Sequence, residues 1–596
     1  MQESRFTEPI AEHVWQAKYQ WSNHGGMSES SVDDTWDRVA LAVASVELHN
    51  TDDWRERFRT LLHDFRFLPG GRILANAGSG RSATLFNCFV MGAMDDSISG
   101  IFGMLREVMM TLQSGGGVGV DFSTLRPSGM AAIATGGMAS GPVSFMQVWE
   151  LASATLESTS SRRGAMMATL RCDHPDIEAF IDAKCTPGTL AHFNLSVLVT
   201  DEFIQAVEED APWPLVFPLH GRQAPDGAEI CVRLWSGGQE PEPCQLMRSV
   251  SARALWDRLV KAAHDCAEPG VLFVDRINRT NNLWYCEHLS TTNPCGEVPL
   301  PPHGACNLGS INLTRFVERP FSEHPKLNFG ALMDAVVIAT RLLDNIYELS
   351  SFPLKTQEKK AQASRRLGLG ITGLADTYLM LGLRYGSPSS LELAEHIMRT
   401  IRDAAYRTSV ILAREKGVFS KFDAARYGAA HFVLDLPRDV QDQIATYGIR
   451  NSHLLAVAPA GSVSLLANNI SSGIEPVFAF DAKRSVRMAD GQLKVFDVQD
   501  YAVGLFRAQF GAKRPLPDYF VTADQVSAAD QLAVQAAVQT YVDNAISKTL
   551  CLPASTSEKE LGDLFLEANR LGLKGCTAHR VGGARCGVIL PDEKSV

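Results

Sequence analysis

Apolar residues recur at three- and four-residue spacing through the first part of the chain, to about Leu68, in W-D-R-V-A-L-A-V-A-S-V-E-L and W-R-E-R-F-R-T-L-L. That period predicts amphipathic helices forming a docking layer with no chemistry of its own. From about Pro69 to Pro553 the pattern changes. Short apolar runs at Leu85–Met91, Phe193–Thr200, Val271–Ile277 and Leu454–Pro459 alternate with long helical stretches at Pro142–Ser158, Ala335–Leu349 and Leu391–Gly417. Strands alternating with helices predict an α/β fold, a mostly parallel sheet covered by helices. After residue 553 a helix over Glu558–Leu571 precedes G-L-K-G-C-T-A-H-R-V-G-G-A-R-C-G, whose glycines and charges predict an exposed, mobile end. The expected organisation is therefore 1–68 helical, 69–553 the main domain and 554–596 a terminal helix and tail, with no internal repeat.

Composition narrows the class. The 596 residues are 45% hydrophobic, with no run of eighteen apolar residues and no signal-like N-terminus, which predicts a cytoplasmic protein without membrane contact. Twelve cysteines are too sparse for a disulfide scaffold, so paired thiols in a reducing compartment point to catalysis. A net charge of -11 argues against a broad nucleic-acid-binding face, although a small anionic nucleotide needs only a few local donors.

The chemistry concentrates in T-T-N-P-C-G-E-V-P-L-P-P-H-G-A-C-N-L-G-S-I-N-L, Thr291 to Leu313. On an extended backbone Asn293, Cys295 and Glu297 share a face, setting a thiol between an amide and a carboxylate. The bland alternative is a Pro-Cys-Gly turn with an ordinary buried cysteine. Cys306 follows, and L-F-N-C-F-V-M centres a second thiol, Cys88, in an apolar strand. Gly115–Gly119 lacks the G-x-G-x-x-G spacing of a dinucleotide fold, and no C-x-x-C pair offers a zinc site or a thiol-disulfide oxidoreductase motif.

In ordered motifs along nearly its whole length, the chain resembles the large catalytic chain of ribonucleotide reductases, most closely the adenosylcobalamin-dependent class II. The motifs are F-L-P-G-G-R-I-L from Phe67, N-C-F-V-M-G from Asn87, G-G-G-V-G-V-D-F-S-T-L-R-P from Gly115, R-R-G-A-M-M-A-T-L from Arg162, H-P-D-I-E from His174, F-N-L-S-V from Phe193, N-P-C-G-E, and P-A-G-S-V-S-L from Pro459 followed by S-S-G-I-E-P. The resemblance implies closure of the sheet into a ten-stranded α/β barrel threaded by a finger loop at N-P-C-G-E. It implies that Cys295 forms the thiyl radical that takes the 3′ hydrogen, that Glu297 takes the 3′-hydroxyl proton, that Asn293 orients the sugar, and that Cys88 and Cys306 reduce it as they join.

For substrate it implies a ribonucleoside diphosphate held by Asn87, Gly116 and the loop Pro459, Ala460, Gly461, Ser462 and Val463, with Ala460 where the family commonly has Thr. Asp95 and Arg126 match a nucleotide effector site at a dimer edge, with Arg162–Thr169 relaying specificity; their plainer reading is surface charge. Glu297 and the missing C-x-x-C are unlike the anaerobic glycyl-radical class, and T-A-H-R stands where class I carries a tyrosine pair. The resemblance to class II implies adenosylcobalamin as the cofactor. A class I-type large subunit needing a metal radical subunit is the alternative. Implied partners are thioredoxin or a similar reductant and a second copy of the chain. Relatives of this kind carry a further region with a flexible tail of re-reducing cysteines; the expected stand-ins here are Cys576 and Cys586, or a separate small chain that supplies that region. Cys551, where the family has Asn, receives no role.

Overall fold

The computed structural model describes residues 5–23, 26, 28–132, 136–157, 164–186, 188–487, 493–581 and 589–591. Ten strands form one sheet: β1 (Phe67–Pro69), β2 (Cys88–Val90), β3 (Gly117–Asp121), β4 (Met166–Arg171), β5 (Phe193–Val199), β6 (Gly270–Phe273), β7 (Ala305–Asn312), β8 (Leu367–Thr372), β9 (Thr549–Leu552) and β10 (Gly575–Arg580). β2 to β6 run parallel in sequence order. β7 runs parallel to β8, and β9 to β10. The two parallel sets meet antiparallel at β2/β7 and at β6/β10, and β1 extends the edge of β7.

The ring closes through an extended segment, where single parallel bridges join Leu369 to Leu455 and Val457 to Ile546. The Asp543 carboxylate pins this segment by accepting from the Leu454 and Leu455 N–H groups, both at 2.8 Å, and from the Tyr406 hydroxyl at 2.7 Å. These strands are buried on both faces, which is why they read as unbroken apolar runs.

The expected helices are present as Pro142–Glu157, Phe329–Leu349, Pro388–Lys416 and Glu558–Arg570. The Val271–Ile277 run divides into β6 and the helix Val274–Arg279. In the N-terminal layer, helices Pro9–Lys18, Val32–Ala44 and Thr51–Leu62 bury Trp15, Trp36 and Phe58. Glu47 ties this layer to the barrel. Burial alone would raise its carboxyl pKa, but hydrogen bonds from Arg341 and Asn345 and the charge of Lys416 bring it down to about 2.

The expected mobile end is corrected over Gly575–Arg580, which is β10, an interior strand between β6 and β9. Cys576 and Ala578 turn inward at every second position. Partners on both edges satisfy this backbone whatever the local charge and glycine content. Cys586 lies outside the described residues. Among the described residues no helix is long and apolar enough to cross a membrane.

Candidate active site

Residues 292–299 form a hairpin inside the barrel, closed by an antiparallel bridge between Thr292 and Pro299. The Gly296 N–H donates to the Asn293 carbonyl at 3.1 Å, and Gly296 takes φ +84°, a conformation suited to glycine. The extended backbone expected here is therefore corrected. Pro294 and Gly296 turn the chain, leaving Cys295 at the tip and Asn293 and Glu297 on its two arms. The Pro-Cys-Gly turn is thus present, and it carries all three candidate side chains.

Neighbouring strands fix the loop. The Asn194 amide donates to the Pro294 carbonyl at 2.8 Å, and the Ala545 N–H donates to the Glu297 carbonyl at 2.9 Å. A Cβ at Gly117 would lie 3.0 Å from the Pro294 ring, and one at Gly119 would lie 1.9 Å from the Thr292 carbonyl oxygen. These two glycines let β3 pass against the loop. Gly116 does not serve this way, since a Cβ there would strike the Phe89 ring at 2.5 Å.

Cys88 and Cys306 are direct partners across the antiparallel β2/β7 pair. Opposed residues in such a pair have Cα atoms about 4.5–5.5 Å apart, inside the reach of about 7 Å for a disulfide. The Asn293 amide donates to Cys88 Sγ at 3.2 Å, and Cys88 Sγ donates to Glu297 Oε1 at 3.8 Å. Asn293 Oδ1 accepts from the Val298 N–H at 2.9 Å, so this amide locks both the hairpin and the thiol. Val90, Val298, Leu300, Leu308 and Ala456 surround the two sulfurs.

Burial pushes the thiols of Cys88, Cys295 and Cys306 well above their ordinary pKa. They are neutral S–H groups at pH 7, able to give up hydrogen rather than to attack as thiolates. Burial also lifts the Glu297 carboxyl to about 7, with hydrogen bonds from Asn293 and Cys88 pulling the other way. Its Oε2 is buried without a protein partner, as are Asn87 Oδ1 and Thr291 Oγ1.

Two cavities share Pro459 as a lining residue, and one of them reaches the 292–299 loop. One, of about 450 Å³, is lined by Asn87 and by Pro459, Ala460, Ser462 and Val463 of the expected substrate loop. Gly461 instead begins the short helix Gly461–Leu466 and faces another cavity, with Ser464. The second, of about 300 Å³, takes in Cys295, Pro294, Gly296, Asn194, Ala578 and His579. Cys295 is exposed to this internal space although it lies deep in the barrel.

The expected effector residues stand apart from this centre. Arg126 Nε donates to Asp96 Oδ2 at 2.7 Å. Asp95 instead accepts from Ser97 Oγ at 2.5 Å, beside the start of helix Ile98–Gln113. Of the expected relay loop, residues 162 and 163 lie outside the described residues, and 166–169 belong to buried β4.

Lys18 and Tyr19, from the layer expected to have no chemistry, line the larger cavity. No sequence signal marked them, because a lysine at a helix end is ordinary until the fold brings it to the loop. Cys576 lines the second cavity, and burial pushes its thiol up to about 12.

The family model described as ribonucleotide reductase, barrel domain, matches residues 86–579, and that described as ribonucleotide reductase, all-alpha domain, matches residues 5–82. The chain belongs to the ribonucleotide reductase family. It is 35% identical to a vitamin B12-dependent ribonucleoside-diphosphate reductase of Mycobacterium tuberculosis, over 97% of this chain and 80% of that protein. A protein of the same name from Thermoplasma acidophilum is 31% identical over 96% of this chain and 70% of its own length. A ribonucleoside-diphosphate reductase subunit alpha of Chlamydia pneumoniae is more distant, at 24% over 92% of this chain and 57% of its own length.

Proposed function

We propose that the chain reduces ribonucleoside diphosphates to 2′-deoxyribonucleotides, with adenosylcobalamin as the radical source. The observation that carries this is the facing pair Cys88 and Cys306, tied through Cys88 to Asn293 and Glu297 of the loop that bears Cys295. Cys295, as a thiyl radical, takes the 3′ hydrogen. Glu297 takes the 3′-hydroxyl proton, which eases loss of the 2′-hydroxyl as water. Cys88 and Cys306 supply two electrons and two protons and end as a disulfide. Overall, one ribonucleotide and two thiols give one deoxyribonucleotide, one disulfide and one water. Asn87 and the 459–463 loop hold the nucleotide's polar end.

The residues around Cys295 fit the cofactor. Gly296, Gly575, Ala578 and Ser196 keep the cavity walls small, and among its described lining residues there is no tyrosine to relay a radical from another subunit. Asn194, Ser196, Ala578 and His579 would border the cofactor, whose Co–C bond supplies a carbon radical on homolysis. Relatives named as vitamin B12-dependent support this over the class I-type alternative. Cytidine diphosphate reduction with a dithiol reductant should proceed with adenosylcobalamin alone; turnover that requires a metal-bearing second subunit refutes the assignment.

Glu297 sets the pH dependence. Its carboxylate is the active base, so kcat/KM should rise about tenfold per pH unit toward pH 7 and level above it. Glu297→Gln should lose most of the activity and this limb with it. Stability runs in the opposite direction: a folded carboxyl with a raised pKa costs nothing below the ordinary carboxylate range, and its cost grows as pH rises toward 7. Glu297→Gln should therefore gain thermal stability over wild type at pH 8 but not at pH 4.5. An unchanged pH–rate limb would exclude Glu297 as the base.

The chain's second copy docks, in this reading, on helices Ile98–Gln113 and Pro142–Glu157, which expose Phe102, Val148 and Leu151. Sedimentation should report the mass of two chains; a single-chain mass at micromolar concentration sinks this. A thioredoxin-type dithiol re-reduces Cys88 and Cys306. Sustained turnover with thioredoxin alone supports that donor, and a single turnover that stops there refutes it.

A further inference from the structure

The helix Pro9–Lys18 of the N-terminal layer packs against the helix Gly461–Leu466 that follows Ala460. At its end, Lys18 Nζ donates to Ser462 Oγ at 2.8 Å. Lys18 also lines the 450 Å³ cavity with Asn87, Pro459 and Ser462, and it is the one charged side chain among that cavity's described lining residues. The chain as a whole carries a net charge of -11, so an anion entering this cavity meets a favourable field only where a local cation provides it.

We propose that Lys18 is a substrate-binding residue, its ammonium pairing with the diphosphate of the ribonucleotide at the 459–463 loop. This rests on the reading that the loop holds the substrate's phosphates. Backbone and hydroxyl donors orient phosphate oxygens without neutralising them, and an ammonium adds charge-assisted bonds of roughly twice the strength. Lys18 has three donor hydrogens on a flexible stem, so it can pass from Ser462 Oγ to a phosphate oxygen without moving the helix. The N-terminal layer thus completes the substrate cavity in addition to docking on the barrel.

The test compares wild type with Lys18→Met and Lys18→Arg in the full chain, reading cytidine diphosphate affinity by equilibrium dialysis and turnover separately. Lys18→Met should raise Kd and KM by about tenfold or more, the scale of a lost charge-assisted bond, with kcat within about twofold and thermal stability near wild type. Lys18→Arg should restore most of the affinity, and raising salt should weaken wild-type binding more steeply than that of Lys18→Met. Unchanged affinity in Lys18→Met, or an equal loss of kcat and stability in both variants, overturns the assignment in favour of a purely structural tie. Wild type that binds cytidine diphosphate but does not reduce it refutes the reductase reading and leaves the Lys18 result to stand on affinity.

Discussion

Cys295→Ser should abolish deoxyribonucleotide formation, by at least about a thousandfold, while cytidine diphosphate affinity stays within about twofold. The substitution keeps shape and removes only the sulfur. A hydroxyl O–H bond is much stronger than a thiol S–H bond, so serine cannot carry the radical that sulfur carries. The loop itself should survive. It is held by Asn194 on the Pro294 carbonyl, by Ala545 on the Glu297 carbonyl and by Asn293 on the Val298 N–H, none of which uses the Cys295 side chain. Steady-state product analysis beside equilibrium dialysis checks both halves. A serine variant that still makes deoxycytidine diphosphate would show that hydrogen abstraction lies elsewhere.

Cys88→Ser should separate the two halves of the reaction. With Cys295 intact the 3′ hydrogen can still be taken and returned, so exchange of label from the 3′ position should continue. Clean reduction should fall at least about a thousandfold, because one sulfur cannot deliver two electrons. Serine at 88 can still accept from Asn293 and donate toward Glu297, the two contacts that the cysteine makes. The loss is therefore one of redox chemistry more than of geometry. Should exchange disappear along with reduction, Cys88 would belong to the abstraction step and the division of labour among the sulfurs would be wrong.

The site was legible in the sequence as a set of residues and less so as an arrangement. Alternation on an extended strand puts Asn293, Cys295 and Glu297 on one face, yet Pro294 and Gly296 fold them into a hairpin that places the amide and carboxylate beside Cys88. Two turn-forming residues outweigh the period of two. The pairing of Cys88 with Cys306 depends on β2 meeting β7 where the parallel halves join, a tertiary event with no local signature.

Apolar runs marked β2, β5 and β6, because strands covered on both faces are apolar throughout, and the run Leu454–Pro459 is an extended segment joined by single bridges. The same logic missed β10, whose edges are paired but whose residues alternate with charge and glycine. The separate sheet of Pro212–Pro218, Pro241–Ser251 and Ile230–Leu234 carries no such signal either. Its edge strand carries Pro212, Pro214 and Pro218, which an edge tolerates and a sequence pattern reads as a break. Lys18 shows the remaining limit, since its role comes from a helix that packs against a loop more than four hundred residues away.

The most direct measurement is a single turnover without external reductant, in which product is counted and the cysteines are then mapped by mass spectrometry after alkylation. Each active chain should yield about one deoxynucleotide, with Cys88 linked to Cys306 in equal amount and Cys295 still a free thiol. Product formed while Cys88 and Cys306 both remain alkylatable would contradict the account.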